Sequence, residues 1–232
     1  MTPRTILAVG AHIGDMDLAA GPILAQNVLD GGRSVLLALT PGERGHPRLG
    51  VEEYKAQKIQ ETQDLASGIG AEAIVFDDQS DGFLENNDAL ADRVAMISRD
   101  IEADLMLAHW GQSLHRDHEN ASLIAERARF LSGLPGHREN DHPRRGIAGF
   151  YFTENWEDEP GFEADTFVEI SQQAHDLWLQ AISGQAFARG ETYGFRYIDY
   201  YDAQMTMRGA LAGVRYAVGL SAPTFPSMRE LP

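Results

Sequence analysis

Two short runs carry the residue types that hold metals and move protons. The first is GAHIGDMD, residues 10–17. It follows an apolar run directly and opens a helical stretch, so His12 and Asp15 can point into one space at a strand-to-helix turn. The second is HRDH, residues 115–118, after the apolar run DLMLAH. It sets His115 and His118 on either side of Arg116 and Asp117. Either run alone can be read as capping, since acids and small polar groups favour helix N-termini. Together, His12, Asp15 and His118 offer two imidazoles and one carboxylate with open positions, a donor set that suits catalytic zinc. Such an ion polarises a carbonyl and lowers the pKa of its water. Non-haem iron uses similar donors. A dinucleotide loop fits poorly, because GxGxxG is absent and the acids would repel a pyrophosphate.

The chain has no cysteine. Disulfides, thiolate metal sites and cysteine nucleophiles are excluded, and any metal must be held by His, Asp or Glu. Lys and Arg number 19 against 35 Asp and Glu, a formal net charge of −16. That balance argues against nucleic acid, which is bound by neutralising phosphates, and against anionic lipid. The opening MTPRTILAVGAH reads as a first strand rather than a leader, and no apolar stretch approaches the ~20 residues of a membrane helix. A cytoplasmic location is the expectation.

These loops need a scaffold. Continuous apolar runs at 6–9, 34–39, 73–76 and 104–109 predict buried strands, and the stretches 18–29, 51–67, 89–101 and 118–130 between and after them predict helices. This βαβα alternation predicts a parallel sheet covered on both faces, an α/β, Rossmann-like three-layer fold. Ligands in such sheets sit at the carboxyl ends of the strands. In the commonest strand orders the first and fourth strands are neighbours, so the two runs would face each other. Residues 149–153 and 166–170 read as further strands, and 172–188 and 197–216 as helices. A single domain is expected over residues 1–232, with a Rossmann-like core at 1–132 and an irregular C-terminal extension at 133–232.

At this point the sequence resembles the PIG-L/LmbE-like zinc-dependent N-deacetylases. Their signatures are AHPDDxE after the first strand and HPDH after a later one; here they read AHIGDMD (11–17) and HRDH (115–118). TPGERG (40–45) is similar to the family's TxGExG turn, Asp81-Gly82 to its DG turn, and RGALAGVRY (208–216) to its closing helix. The resemblance implies Zn2+ held by His12, Asp15 and His118. It implies that His115 stabilises the oxyanion or protonates the leaving amine, that Asp117 orients His115, and that Asp81 contacts the substrate. It also implies a small-molecule substrate, an amino-sugar derivative, and a homo-oligomer.

One position departs from the pattern. The family's general base is the first Asp of AHPDD, and here it is Gly14. General-base help is worth ~10²–10⁴-fold in rate. Asp17 lies ~200° round a helix from Asp15, which makes it a partner orienting a ligand rather than the base. His115 is a further candidate for that role, and a glycine at 14 would otherwise widen the pocket. Lys58 reads as a solvated helix face, His175 as a surface residue, and His46, His137 and His142 as exposed loop residues. His109 can sit in the core or behind a ligand. The function expected is hydrolysis of a C–N amide bond by metal-activated water, as in N-deacetylation of an acylated amino sugar or small acylated amine. The alternative is a non-catalytic metal- or sugar-binding protein that lost its base.

Overall fold

The structure, a computed structural model, describes residues 2–137, 147 and 149–223; His142 lies outside the described residues. The apolar runs become strands of one sheet. In chain order the elements are β1 (Thr5–His12), α1 (Asp15–Ala19), α2 (Gly21–Leu29), β2 (Arg33–Thr40), α3 (Val51–Ile69), β3 (Glu72–Val75) and α4 (Asp88–Asp100). Then come β4 (Leu105–His109), α5 (Arg116–Ser132), β5 (Gly149–Thr153), a 3-10 turn (Trp156–Asp158), β6 (Thr166–Ile170), α6 (Gln172–Ile182), α7 (Tyr197–Ala212) and β7 (Tyr216–Ser221). Among the described residues the sheet has seven strands in the order β3-β2-β1-β4-β5-β7-β6. β1 to β5 are parallel, and β7 runs antiparallel to both of its neighbours.

Alternation along the central strands builds two cores. Ile6, Ala8, Leu36 and Leu107 face one way, against α2 residues Ile23 and Leu24 and α6 residue Trp178. Leu7, Val9, Val35, Leu37 and Met106 face the other way, against Val94 of α4 and Ile124 of α5. Side chains that alternate between two covered faces leave the strands apolar throughout, which gives the three-layer α/β fold that the strand runs predict.

Three boundaries differ from the sequence reading, each for a local reason. The helix expected over 18–29 breaks at Ala20, because Pro22 has no N–H to continue the ladder. The helix expected over 172–188 ends at Ile182 and gives way to turns that include Gly190 and Gly194 at positive φ. The helix expected over 197–216 ends at Ala212, capped by Gly213 in the left-handed conformation. The chain then enters β7, which is buried along its whole length.

Candidate active site

β1 and β4 pair in parallel, with Val9 opposite Ala108. Their carboxyl ends therefore deliver the start of α1 and the start of α5 to one place. His12 Nδ1 stands 3.4 Å from Asp15 Oδ2, and His118 Nε2 stands 3.5 Å from the same oxygen. The rings of His12 and His118 are 5.3 Å apart. The backbone N–H of His12 donates to Asp15 Oδ2 at 2.7 Å, which fixes the carboxylate over the turn.

Each histidine is oriented by a carboxylate behind it. His12 Nε2 lies 3.2 Å from both Asp81 Oδ1 and Asp117 Oδ2, so its proton belongs there and Nδ1 offers its lone pair. His118 Nδ1 lies 2.9 Å from Asp158 Oδ1, which leaves Nε2 to offer its own. Such carboxylate–histidine pairs are the usual support of a metal-binding imidazole. Nearby donors form overlapping triads within 4.8 Å of one another: His12 with His115 and His118, Asp15 with His109 and His118, and His12 with Asp81 and Asp117.

The imidazoles and carboxylates stabilise one another's charge. Burial opposes charge on His12, but Asp15, Asp117 and Asp81 outweigh it and hold its pKa well above the ordinary value. Burial also opposes ionisation of Asp15, and His118, His12 and His109 overcome it to hold that pKa well below the usual range. Lone pairs and carboxylate oxygens converging on one spot fit a divalent cation.

Asp81 lines the cavity and accepts from the Arg44 backbone through its other oxygen at 3.1 Å. The Asp117 carboxylate reaches His12 and the Gly82 N–H (2.7 Å), not His115. What His115 receives is the backbone N–H of Asp117, on Nδ1 at 3.2 Å. That bond caps α5 and leaves the proton of His115 on Nε2. Burial, with the nearby His12 and His118, lowers the His115 pKa, so the ring is a neutral N–H donor at the cavity wall. Among the described residues Asp17 makes no hydrogen bond or ion pair with His12, Asp15 or His118. It accepts from Gly14 N at 2.8 Å, Thr62 Oγ1 at 2.8 Å and Gln185 Nε2 at 2.9 Å, and so holds the turn.

Gly14 does not widen the pocket. Its φ is +112°, and a Cβ there would lie 2.4 Å from Phe187 Cζ. Lys58 is buried rather than solvated. Its ammonium donates to the Ile13 carbonyl and stands 4.3 Å over the Phe187 ring. Burial pulls its pKa below the ordinary value. His175 is buried too, stacked on Tyr216 at 4.1 Å and bonded to Asp202 at 2.6 Å. His137 is half-buried and meets Asp92 at 2.6 Å.

Sequence reasoning missed Glu157 and Asp158. Both sit in the 3-10 turn after β5, the strand beside β4. Asp158 bridges His118 and His109, whose Nδ1 is 2.7 Å from its second oxygen. Burial opposes its charge, but His109 and His118 hold the Asp158 pKa at about 2. The Ala11 N–H and Asp15 Oδ2 compete for Nε2 of His109, at 3.1 and 3.0 Å. Burial opposes a charged ring, yet Asp158 and Asp15 raise its pKa to about 9, so Nε2 donates to Asp15. Glu157 Oε2 lies 3.5 Å from His118 Nε2, and burial raises its pKa. A cavity of about 440 Å³ opens over these groups, walled by Lys58, His115, Trp156, Phe187, Tyr193 and Tyr197 among others.

Known proteins share this architecture. A 4-oxalmesaconate hydratase from Pseudomonas putida is 22% identical over 245 residues, covering 98% of this chain and 92% of its own. The crystal structure of a 4-carboxy-2-hydroxymuconate hydratase from the same species superposes with a TM-score of 0.86 at 22% identity, covering 100% of both chains. The N,N'-diacetylchitobiose deacetylase of Pyrococcus horikoshii superposes with a TM-score of 0.77 at 17% identity, covering 94% of this chain and 82% of that one. Identities this low speak for the fold. The family model described as PIG-L, GlcNAc-PI de-N-acetylase, matches residues 7–129, more than half of the 232 residues, and the chain belongs to that family.

Proposed function

We propose that this protein is a metal-dependent enzyme that adds water to the carbon–carbon double bond of a small unsaturated carboxylic acid. One observation carries the reading. The corner where the resemblance puts a base carboxylate holds the Phe187 ring and the buried Lys58 ammonium. A buried ammonium beside an aromatic ring in the cavity wall suits a substrate carboxylate. The activities named for the two hydratases above support the same choice.

His12, Asp15 and His118 would hold the ion, and the donor set fits Zn2+. Bound there, the ion supplies Lewis acidity and a water of lowered pKa. Lys58 fixes one end of the substrate. His115, with its Nε2–H toward the cavity, donates to the oxygen on which negative charge develops. Trp156, Phe187 and Tyr197 wall the cavity and exclude bulk water. Hydration places a hydroxyl on one carbon and a proton on its neighbour, and so ends the conjugation.

A second reading is the one expected from sequence: N-deacetylation of an acylated amino sugar or small acylated amine. The family description and the deacetylase neighbour support it, and the His115 donor serves an amide oxyanion equally well. Loss of ultraviolet absorbance from a panel of conjugated di- and tricarboxylic acids is the expected result with the zinc-loaded protein. Acetate release from N-acetyl sugars without any hydration would overturn the proposal in favour of the second reading. Stoichiometric metal with neither activity would favour the non-catalytic alternative. A homo-oligomer remains part of the proposal and is checked by light scattering.

A further inference from the structure

Two tyrosines meet hydroxyl to hydroxyl beside the cavity. Tyr54, buried in α3, and Tyr193, in the turns between α6 and α7, bring their oxygens to 3.4 Å. The Tyr54 hydroxyl is also hydrogen-bonded to the side chain of Thr192, the neighbour of Tyr193. Two successive residues therefore tie the tip of this segment to the helix. The tip is itself a closed turn. Gly190 and Gly194 lie at positive φ, and the Gly194 N–H donates to the Gly190 carbonyl at 2.9 Å.

The far side of the contact is the turn over residues 40–45. Tyr193 Oη rests on Gly45, where an added Cβ would lie 2.5 Å from it. Gly45 is not one of the positive-φ glycines, so it is the tyrosine, not the backbone, that excludes a side chain there. The ring thus spans from one segment to the other. It is 45% exposed and lines the same cavity as Lys58 and His115, which puts it at the boundary between that cavity and solvent. Lys58 sits on the inner side, 4% exposed, with Nζ 3.5 Å from where a Cβ on Gly42 would lie.

From this arrangement we infer that Tyr193 is a specificity-determining residue: a bar across the mouth of the cavity, seated on Gly45, that admits compact molecules to Lys58 and turns away bulky ones. The inference deepens the proposed function and rests on its reading of this cavity as the substrate pocket. About 440 Å³ behind such a bar takes a small free acid whole, and does not take one end of a long chain.

The sequence supplies a test that needs neither metal nor turnover. Its two lysines, Lys55 and Lys58, both lie on α3. Lys55 is half-buried, donates to the Asp77 carbonyl at 2.6 Å and lies outside the cavity lining, so it serves as the internal reference. The full chain is treated with cyanate, a small linear reagent, or with trinitrobenzenesulfonate, a substituted aromatic ring. Peptide mass mapping then reads labelling of Lys58 relative to Lys55. In wild type, cyanate is expected to reach both lysines and trinitrobenzenesulfonate only Lys55. Tyr193→Ala is expected to raise labelling of Lys58 by the bulky reagent at least ~10-fold, since access no longer waits on local opening of the segment, with little change for cyanate. Gly45→Ala should do the same by unseating the hydroxyl. It should do so less in a Tyr193→Phe background, where the atom nearest the new Cβ is absent. Melting temperatures check that each variant folds.

An equal rise for the two reagents would make Tyr193 a structural contact and overturn the inference. So would wild-type labelling of Lys58 by both reagents or by neither, an unchanged pattern in Tyr193→Ala, or an equal effect of Gly45→Ala in both backgrounds. Each of these leaves the hydration reading standing, because that reading is decided by loss of absorbance.

Discussion

The two oxygens of Asp158 join His109 to His118, at 2.7 and 2.9 Å from the Nδ1 atoms of the two rings. The rings stack with centroids 4.1 Å apart. One buried carboxylate thus sets the tautomer of an expected ligand and neutralises the cation that pins Asp15.

Asp158→Asn is expected to reduce metal affinity by ~10–100-fold. An amide can accept from only one of the two Nδ1–H groups and turns its own N–H groups toward the other. Competition with a chelating dye measures the effect, and equal affinity would show that His118 is oriented by other contacts.

The same trio gives the metal-free protein a defined pH response. His109 is raised from 6.5 to about 9, so its stabilisation is complete below pH 6.5 and is lost as pH rises through about 9. Asp158 is lowered from 3.8 to about 2, so its contribution is complete above pH 3.8 and is lost as pH falls through about 2. The melting temperature of chelator-treated protein should therefore fall between pH 6.5 and 9, and His109→Gln should flatten that fall. A slope of equal size in the variant would assign it to other groups.

Gly14→Asp is expected to destabilise the protein by ~2 kcal/mol or more and to create no deacetylase activity. The new Cβ would meet the Phe187 ring at 2.4 Å, on backbone at φ +112°. Adding Phe187→Ala should recover the steric part of the loss but not the backbone part. Wild-type melting together with acetate release from the single variant would show that the ring swings aside.

Lys58→Met is expected to raise KM for a carboxylate substrate by more than ~10-fold, the scale of one lost charge-assisted hydrogen bond. Lys58→Arg should recover part of it. Comparable loss with an uncharged substrate would mean that Lys58 acts on the fold, through the Ile13 carbonyl, rather than on the ligand.

His115→Ala is expected to lower kcat by ~10²–10³-fold with metal content unchanged. Helix α5 also loses the cap that His115 Nδ1 provides, a cost of ~1 kcal/mol. A drop in bound metal would instead make His115 a ligand, as its place in one donor triad allows.

The sequence displays the first half of this site because β1 and β4 are apolar strands with polar residues directly at their carboxyl ends. His12, Asp15, His115 and His118 can be found by that rule. Glu157 and Asp158 obey it too, since they follow β5, but TENWEDEP has no periodicity and its acids look like a solvated turn. The available signal was Asn155, which caps the turn by accepting from Glu157 N. Lys58 was misread because α3 is polar on most of its surface, and burial of one lysine shows only when Tyr54, Phe187 and the Ile13 carbonyl surround it. The sequence reading carries the last helix to Tyr216 and assigns nothing to the rest of β7, because YAVGLS follows a helix with Gly213 as its strong break and its pairing partners are remote in sequence.

The Phe187 ring over Gly14 also bears on any redesign of this corner. An aspartate at position 14 would be strained by the backbone and crowded by the ring unless Phe187 moves. Removing the aromatic ring alone leaves a hole beside a buried ammonium. Chemistry engineered into this corner therefore needs both positions changed together.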